Sequence, residues 1–264
     1  MMKAMCFLDE SNTKLLDIPR PKLLKATDAV GKVLRTTICG SDLHMIDGFL
    51  KESTKAAKSK PGRGFAMGQE GLEADGLQAE YCRILFADHS LYKCLKGVPL
   101  DTCVSFSDVL PTSYELGVRD QIEEGDSVAI VGMGPIGLGA LLSLKTFNPS
   151  QIIAIDMNES RLKTAKSFGA TTFINPQNES VKKVIDKLTQ KEEVKPGVDL
   201  AIECVGLPET FEAFQDVVAP YGRIAVVGVH GVPASLKLDK LWLANINIST
   251  GLVSANSVTE LMEK

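Results

Sequence analysis

Asp126-Ser-Val-Ala-Ile-Val-Gly-Met-Gly-Pro-Ile-Gly137 carries an apolar, β-branched run from Val128 to Val131 into a turn holding Gly132, Gly134 and Gly137. An uncharged apolar segment from Ile136 to Leu144 follows. The pattern predicts a strand, a glycine turn and a buried helix, and each glycine has its own task in a dinucleotide-binding βα unit. Gly132 permits the tight turn, Gly134 lets a backbone approach a pyrophosphate that a Cβ would block, and Gly137 lets the helix pack on the strand. The turn Gly132, Met133, Gly134, Pro135, Ile136, Gly137 is therefore a candidate cofactor site, with the helix N–H groups and positive dipole end facing the phosphates.

The next predicted strand, Gln151 to Asp156, ends in a carboxylate about 20 residues past the turn, the place of a ribose-binding acid. Such a group accepts hydrogen bonds from the adenosine ribose and repels a 2′-phosphate, so NAD is expected over NADP. A second reading stays open, in which Asp156 caps the following helix together with Asn158.

The chain has 264 residues, 44% hydrophobic and 23% charged, enough for two modest domains. A net charge of −4 gives no electrostatic argument for nucleic acid or an anionic membrane surface, so neither is expected as a partner. The N-terminus reaches Asp9 and Glu10 before a long apolar core develops, which reads as neither secretory signal nor membrane span and makes the protein cytoplasmic by default. Cys6, Cys39, Cys82, Cys94, Cys103 and Cys204 form no C-x-x-C pair, and most read as small buried residues.

Taken in order, Ala4 to Leu8 and Ala29 to Ile38 read as strands of a β-rich N-terminal half, parted by a turn at Pro19 and Pro21. Tyr81 to Val104 is mixed strand and loop, and His89 reads as a surface turn residue. After Asp156, Glu159 to Phe168 is a predicted helix stopped by Gly169, Thr171 to Ile174 a strand, and Val181, Val184, Ile185 and Leu188 one face of a helix. Asp199 to Cys204 is a strand, Pro208 opens a helix with Phe211, Phe214 and Val218 as its apolar face, and Arg223 to Gly228 and Ile246 to Leu252 are further strands. Strands alternating with helices predict a doubly wound parallel α/β sheet of Rossmann type. Cys204, Val205, Gly206, Val227, Gly228 and Val229 fall at strand carboxyl ends and are expected as further cofactor contacts, whereas His230 reads as a plain loop residue and Trp242 as a packing residue.

Ile38 to His44 with Asp47-Gly48 resembles the first zinc-ligand motif of the medium-chain zinc alcohol dehydrogenases, and the glycine fingerprint resembles the cofactor half of the same family. Asp75 to Tyr81, Ser107 to Thr112, Ala219 to Ile224, Leu241-Trp242 and Asn245 to Ile248 extend the resemblance over most of the chain. It implies a GroES-like β-rich catalytic domain over residues 1–118, incomplete here, and an NAD-binding Rossmann domain over 119–264. It implies that Cys39 is a thiolate ligand of a catalytic zinc, with Asp108 a further ligand. Ser41 would take the proton of a substrate alcohol and His44 pass it toward solvent. Thr112 would lie near the nicotinamide and Arg161 beside the adenosine ribose, and a homodimer would form through the edge strand near 246–252. Without the resemblance, Cys39 is a structural thiol and His44 a surface residue.

Two features depart from the family pattern. Between His44 and Tyr81 there is neither the Gly-His-Glu segment with its histidine ligand nor the four-cysteine lobe, so no structural zinc is expected. A lysine-bearing stretch, Phe49 to Gln69, stands there instead, reading as a solvated loop. In Gly68-Gln69-Glu70-Gly71, Glu70 would complete the metal set; in the other reading it is a loop acid. The chain also stops inside a helix begun near Ser257, where a full-length relative continues. The expected function is zinc- and NAD-dependent oxidation of a small alcohol, or reduction of the carbonyl. Beside it stand a cofactor-binding protein without activity and a zinc-free reductase of the same superfamily.

Overall fold

The structure is a computed structural model and describes residues 1–9, 12–47, 76–118, 121–190, 195–251 and 255–263. The expected Phe49 to Gln69 loop and Glu70 lie outside the described residues. The chain divides into two compact units, Met1–Val104 and Ser105–Lys264.

In the first unit, β1 (Met2–Asp9) pairs antiparallel with β2 (Asn12–Ile18), and β3 (Ala29–Lys32) with β4 (Tyr81–Ile84). Met2, Ala4 and Cys6 are buried while Lys3 and Met5 are exposed, the period-two pattern of a strand with one covered face. The strand expected to reach Ile38 ends at Lys32. Its partner chain has turned away: Ala79 bridges Ala4, and the Glu80 amide donates to the Lys3 carbonyl. Three short helices complete the described elements of this unit: α1 (Gly40–Ile46), α2 (Ala87–Ser90), whose last turn carries an exposed His89, and α3 (Leu100–Cys103).

The second unit runs α4 (Val109–Gly117), β5 (Ser127–Val131), α5 (Pro135–Leu144), β6 (Gln151–Ile155), α6 (Glu159–Phe168), β7 (Thr172–Ile174) and α7 (Val181–Thr189). It continues with β8 (Val198–Glu203), α8 (Pro208–Phe214), β9 (Val218–Val226), α9 (Leu238–Leu241), β10 (Asn247–Thr250) and α10 (Val258–Glu263). The six strands form one parallel sheet in the order β10-β9-β8-β5-β6-β7. All five residues of β5 are buried, and alternate ones feed two separate cores: Val128 and Ile130 on one face, Ala129 and Val131 on the other. A sheet covered on both sides needs this continuous apolar run. Strand order reverses between β5 and β8, which opens a crevice at the strand carboxyl ends.

Local signals set the helix ends. Asn158 caps α6 by accepting from the amides of Ser160 and Arg161, and Gly169 ends it in the left-handed region at φ 107°. Pro208 opens α8. Val218, expected on that helix, instead begins β9 opposite Val198; the helix closes through turns from Ala213 to Asp216 and from Phe214 to Val217, which send the chain into the sheet. Trp242 is 65% exposed rather than packed, because Leu241, at 5%, already anchors the four-residue α9. Of the six cysteines only Cys6 and Cys82 are fully buried, Cys39, Cys103 and Cys204 are half-buried, and Cys94 is exposed. Among the described residues no helix is long and apolar enough to cross a membrane.

One ion pair ties the first unit together. Asp28 Oδ2 accepts from Arg83 Nη1 at 2.8 Å and from the amides of Lys25 and Leu24 at 3.0 and 3.2 Å, with the two side chains 1% and 8% exposed. Burial acts to raise the Asp28 pKa, but the Arg83 hydrogen bond, the two amides and the Arg83 charge together bring it below the usual 3.8. A folded-state pKa below the unfolded one contributes stability that is present above the unfolded value and is lost as pH falls through the folded one. Asp28→Asn is accordingly expected to lower the melting temperature at pH 7. That difference from the native protein should shrink as pH is lowered below the ordinary carboxylate range, in melting curves taken across the range.

Candidate functional site

The glycine turn at the end of β5 is held by backbone contacts. Gly132 sits at φ 89°, where an L side chain is strained, and its amide donates to the Ile155 carbonyl at 2.9 Å. A Cβ on Gly137 would stand 1.9 Å from the Gly132 carbonyl oxygen, so α5 touches the turn backbone to backbone. A Cβ on Gly134 would meet nothing within 4 Å. This glycine leaves open space in front of the α5 N-terminus, where unpaired N–H groups favour an anion. Met133, fully buried, packs into the core beneath.

Asp156 follows β6 and is 8% exposed. Its Oδ2 accepts from the Met133 amide at 2.7 Å and its Oδ1 from the Asn158 amide at 2.8 Å. The carboxylate thus fixes the turn and orients the helix cap at once, and each oxygen retains a lone pair for a further donor. Arg161 Nη1 stands 3.6 Å from Oδ2. The geometry shows the reading in which Asp156 supports the cap at Asn158, and it leaves acceptor positions for a further donor.

Across the switch point, the Cys204 amide donates to the Val131 carbonyl at 2.9 Å, and the Val205 side chain would lie 2.8 Å from a Cβ on Gly132. The amides of Val227 and Gly228 both donate to the Glu203 carbonyl, at 2.8 and 3.0 Å. Burial, with the Glu203 charge behind it, pushes the Cys204 thiol up, which makes it a packing group rather than a nucleophile. The second unit therefore brings the glycine turn, Asp156, Arg161, Cys204 to Gly206 and Val227 to Val229 around one crevice. Glu203 was not foreseen from sequence. It is fully buried, and its signal was an acid directly after the apolar run Leu200 to Ile202 at the strand's carboxyl end. A cavity of about 590 Å³ lies elsewhere, between Ser180, Val217 and Ile246 toward the amino ends of β8, β9 and β10.

The other candidates fall in both units. In the first, the Cys39 amide donates to Asp42 Oδ2 at 2.8 Å to start α1, which carries Ser41 and His44 one turn apart and half-buried. In the second, Asp108 precedes α4 and its Oδ1 accepts from the Thr112 hydroxyl at 2.8 Å, while Thr112 is 8% exposed. Ser113, beside it, donates to the Ile136 carbonyl at 2.9 Å and binds α4 to α5. Among the described residues no three His, Cys, Asp or Glu side chains gather as a metal site.

The profile of the zinc-binding dehydrogenase family matches residues 135–264. A solved structure, zinc dependent alcohol dehydrogenase 2 of Streptococcus pneumonia in its apo form, is 34% identical with a TM-score of 0.86, covering 100% of this chain and 86% of that one. Alcohol dehydrogenase TADH from Thermus sp. ATN1 has a TM-score of 0.83 at 24% identity, over 99% of this chain and 88% of that one. Zinc-type alcohol dehydrogenase B of Aspergillus flavus is 28% identical over 98% of this chain and 71% of its own length. That alignment runs over 316 positions against the 264 residues here, so the relative carries segments with no counterpart in this chain.

The two glycines at the α5 N-terminus separate packing from binding. Gly137→Ala is expected to cost about 2–4 kcal/mol, read as a clear fall in melting temperature, because its Cβ meets backbone that cannot move aside. Gly134→Ala, at φ −76° and with room for a methyl group, should leave the melting temperature unchanged while weakening dinucleotide binding about tenfold or more in calorimetric titration.

Proposed function

The chain belongs to the zinc-type alcohol dehydrogenases of the medium-chain dehydrogenase/reductase family, and from that membership we propose that it oxidises a small alcohol to an aldehyde or ketone, and the reverse, with NAD. The family works with zinc and a nicotinamide dinucleotide. The observation that carries the reading is the crevice: an open glycine turn at Gly134 beside a nearly buried carboxylate at Asp156. The turn at Gly134 would hold the pyrophosphate and Asp156 would accept from the adenosine ribose, its charge opposing a 2′-phosphate. Thr112 and the strand-end residues of β8 and β9 would hold the nicotinamide half.

A nicotinamide held in this crevice would supply the acceptor for the alcohol's hydride. Ser41 accepts the hydroxyl proton and His44 passes it outward; three residues apart on α1, the two share one helix face. A catalytic zinc supplies Lewis-acid polarisation of the alcohol oxygen when bound. Its ligands in this reading are Cys39, Asp108 and Glu70. The second reading is a chain that binds NAD and turns nothing over, and it rests on the family's Gly-His-Glu ligand segment being missing between His44 and Tyr81. Six free thiols suit a reducing compartment, which supports the cytoplasm as its location.

The test is zinc content after dialysis, with NAD and NADP titrations and an alcohol screen on the same sample. About one zinc per chain, lost on Cys39→Ala together with turnover, is expected, as is NAD binding at least about tenfold tighter than NADP. NAD binding without zinc or turnover establishes the second reading. β10 is the sheet's edge strand, with Ile248 37% exposed and Trp242 and Leu243 exposed beside it, so we further propose a homodimer pairing β10 across a two-fold. Sedimentation should give twice the chain mass, and Ile248→Pro, which removes an edge amide, should give monomer.

A further inference from the structure

Glu203 ends β8 with its side chain wholly out of solvent, a position where a carboxylate needs a full set of donors. Oε1 collects three, from the Val205 amide at 2.9 Å, the Gly206 amide at 2.9 Å and the Thr210 hydroxyl at 2.7 Å. Oε2 faces His230 Nε2 at 3.3 Å. The imidazole comes from the loop after β9, is 20% exposed, and stands edge-on to Phe211 of α8, with ring centroids 6.1 Å apart at 79°.

The backbone on either side of this pair is in contact. A Cβ on Gly228 would lie 2.2 Å from the Gly206 amide nitrogen, and one on Gly206 would lie 2.4 Å from the Val229 carbonyl oxygen. Glu203 thus holds the turn after β8 through Oε1 and the loop after β9 through Oε2, where the two turns meet. They are the part of the crevice remote from Asp156, across the switch point from the adenosine half.

We propose that His230 is a positioning residue for the nicotinamide half of the cofactor, acting through Glu203 to hold the turn at Val205 and Gly206 against the loop at Gly228 and Val229. The inference rests on the dinucleotide reading above and adds to it a residue outside the strand-end contacts. Either protonation state of the imidazole with a proton on Nε2 donates to Oε2. Removing it strands one oxygen of a buried carboxylate and frees the β9 loop from the β8 turn. The adenosine subsite, built on β5 and β6, is untouched by that loss.

NADH and AMP titrated into the native chain, His230→Ala and His230→Gln, with melting curves for all three, test this. His230→Ala is expected to weaken NADH about tenfold while AMP, a probe of the adenosine half alone, changes less than about twofold. Gln, whose amide N–H can reach a carboxylate, should recover most of the NADH affinity. Unchanged NADH affinity in His230→Ala, parallel losses for NADH and AMP, or a Gln variant no better than Ala would each overturn the proposal. Failure of the native chain to bind NADH would overturn the dinucleotide reading and this inference together, a result visible before any substitution is made.

Discussion

The helix α5 approaches the end of β5 so closely that a Cβ at position 137 would stand 1.9 Å from the Gly132 carbonyl oxygen. That single backbone contact fixes where the helix N-terminus points and therefore where its unpaired amides can receive a phosphate. The approach in turn requires β5 to be buried along its whole length, since a helix pressed this tightly leaves no room for solvated side chains beneath it. The two cores on either face of the sheet hold the strand rigidly enough for the contact to persist.

Asp156 and Glu203 play matching parts on the two sides of that contact. Each is an acid at or just past a strand's carboxyl end, and each binds backbone amides of a turn: Met133 and Asn158 for Asp156, Val205 and Gly206 for Glu203. Carboxylates with two or more amide donors organise turns as well as any side chain can, because charge-assisted bonds are short and strong. The crevice is consequently rigid at both shoulders before any ligand arrives, which lowers the ordering cost of binding.

What could be read from the sequence was whatever depends on neighbours along the chain. The glycine turn, the α6 limits at Asn158 and Gly169 and the opening of α8 at Pro208 all follow from local stereochemistry. Val218 was misplaced because an apolar residue four positions past Phe214 fits a helix stripe as well as a strand start, and only pairing with Val198, twenty residues earlier, decides between them. Trp242 and the cysteines were misjudged because residue type predicts burial only on average. Glu203 and His230, separated by 27 residues, become partners only once β8 and β9 lie side by side.

The cofactor crevice and the expected metal set differ in how they are built, and that difference decides which one withstands change. The crevice is made largely of backbone groups: amides of Met133, Val205 and Gly206, the carbonyl of Gly132, and open space over Gly134. Backbone positions are set by the sheet, so many side chains can be exchanged without moving them, in keeping with a TM-score of 0.86 at 34% identity. A zinc set is the opposite case. It needs particular side chains, converging from segments far apart in sequence, within a few tenths of an ångström of one distance. Cys39 and Asp108 belong to different compact units, and the stretch that would supply a third ligand carries Gln69 where the family pattern has histidine. An amide oxygen is a weak zinc ligand beside an imidazole, whereas the carboxylate of Glu70 is a competent one. The proposed dinucleotide site thus rests on backbone, whereas the proposed zinc site rests on whether one carboxylate stands in for one histidine.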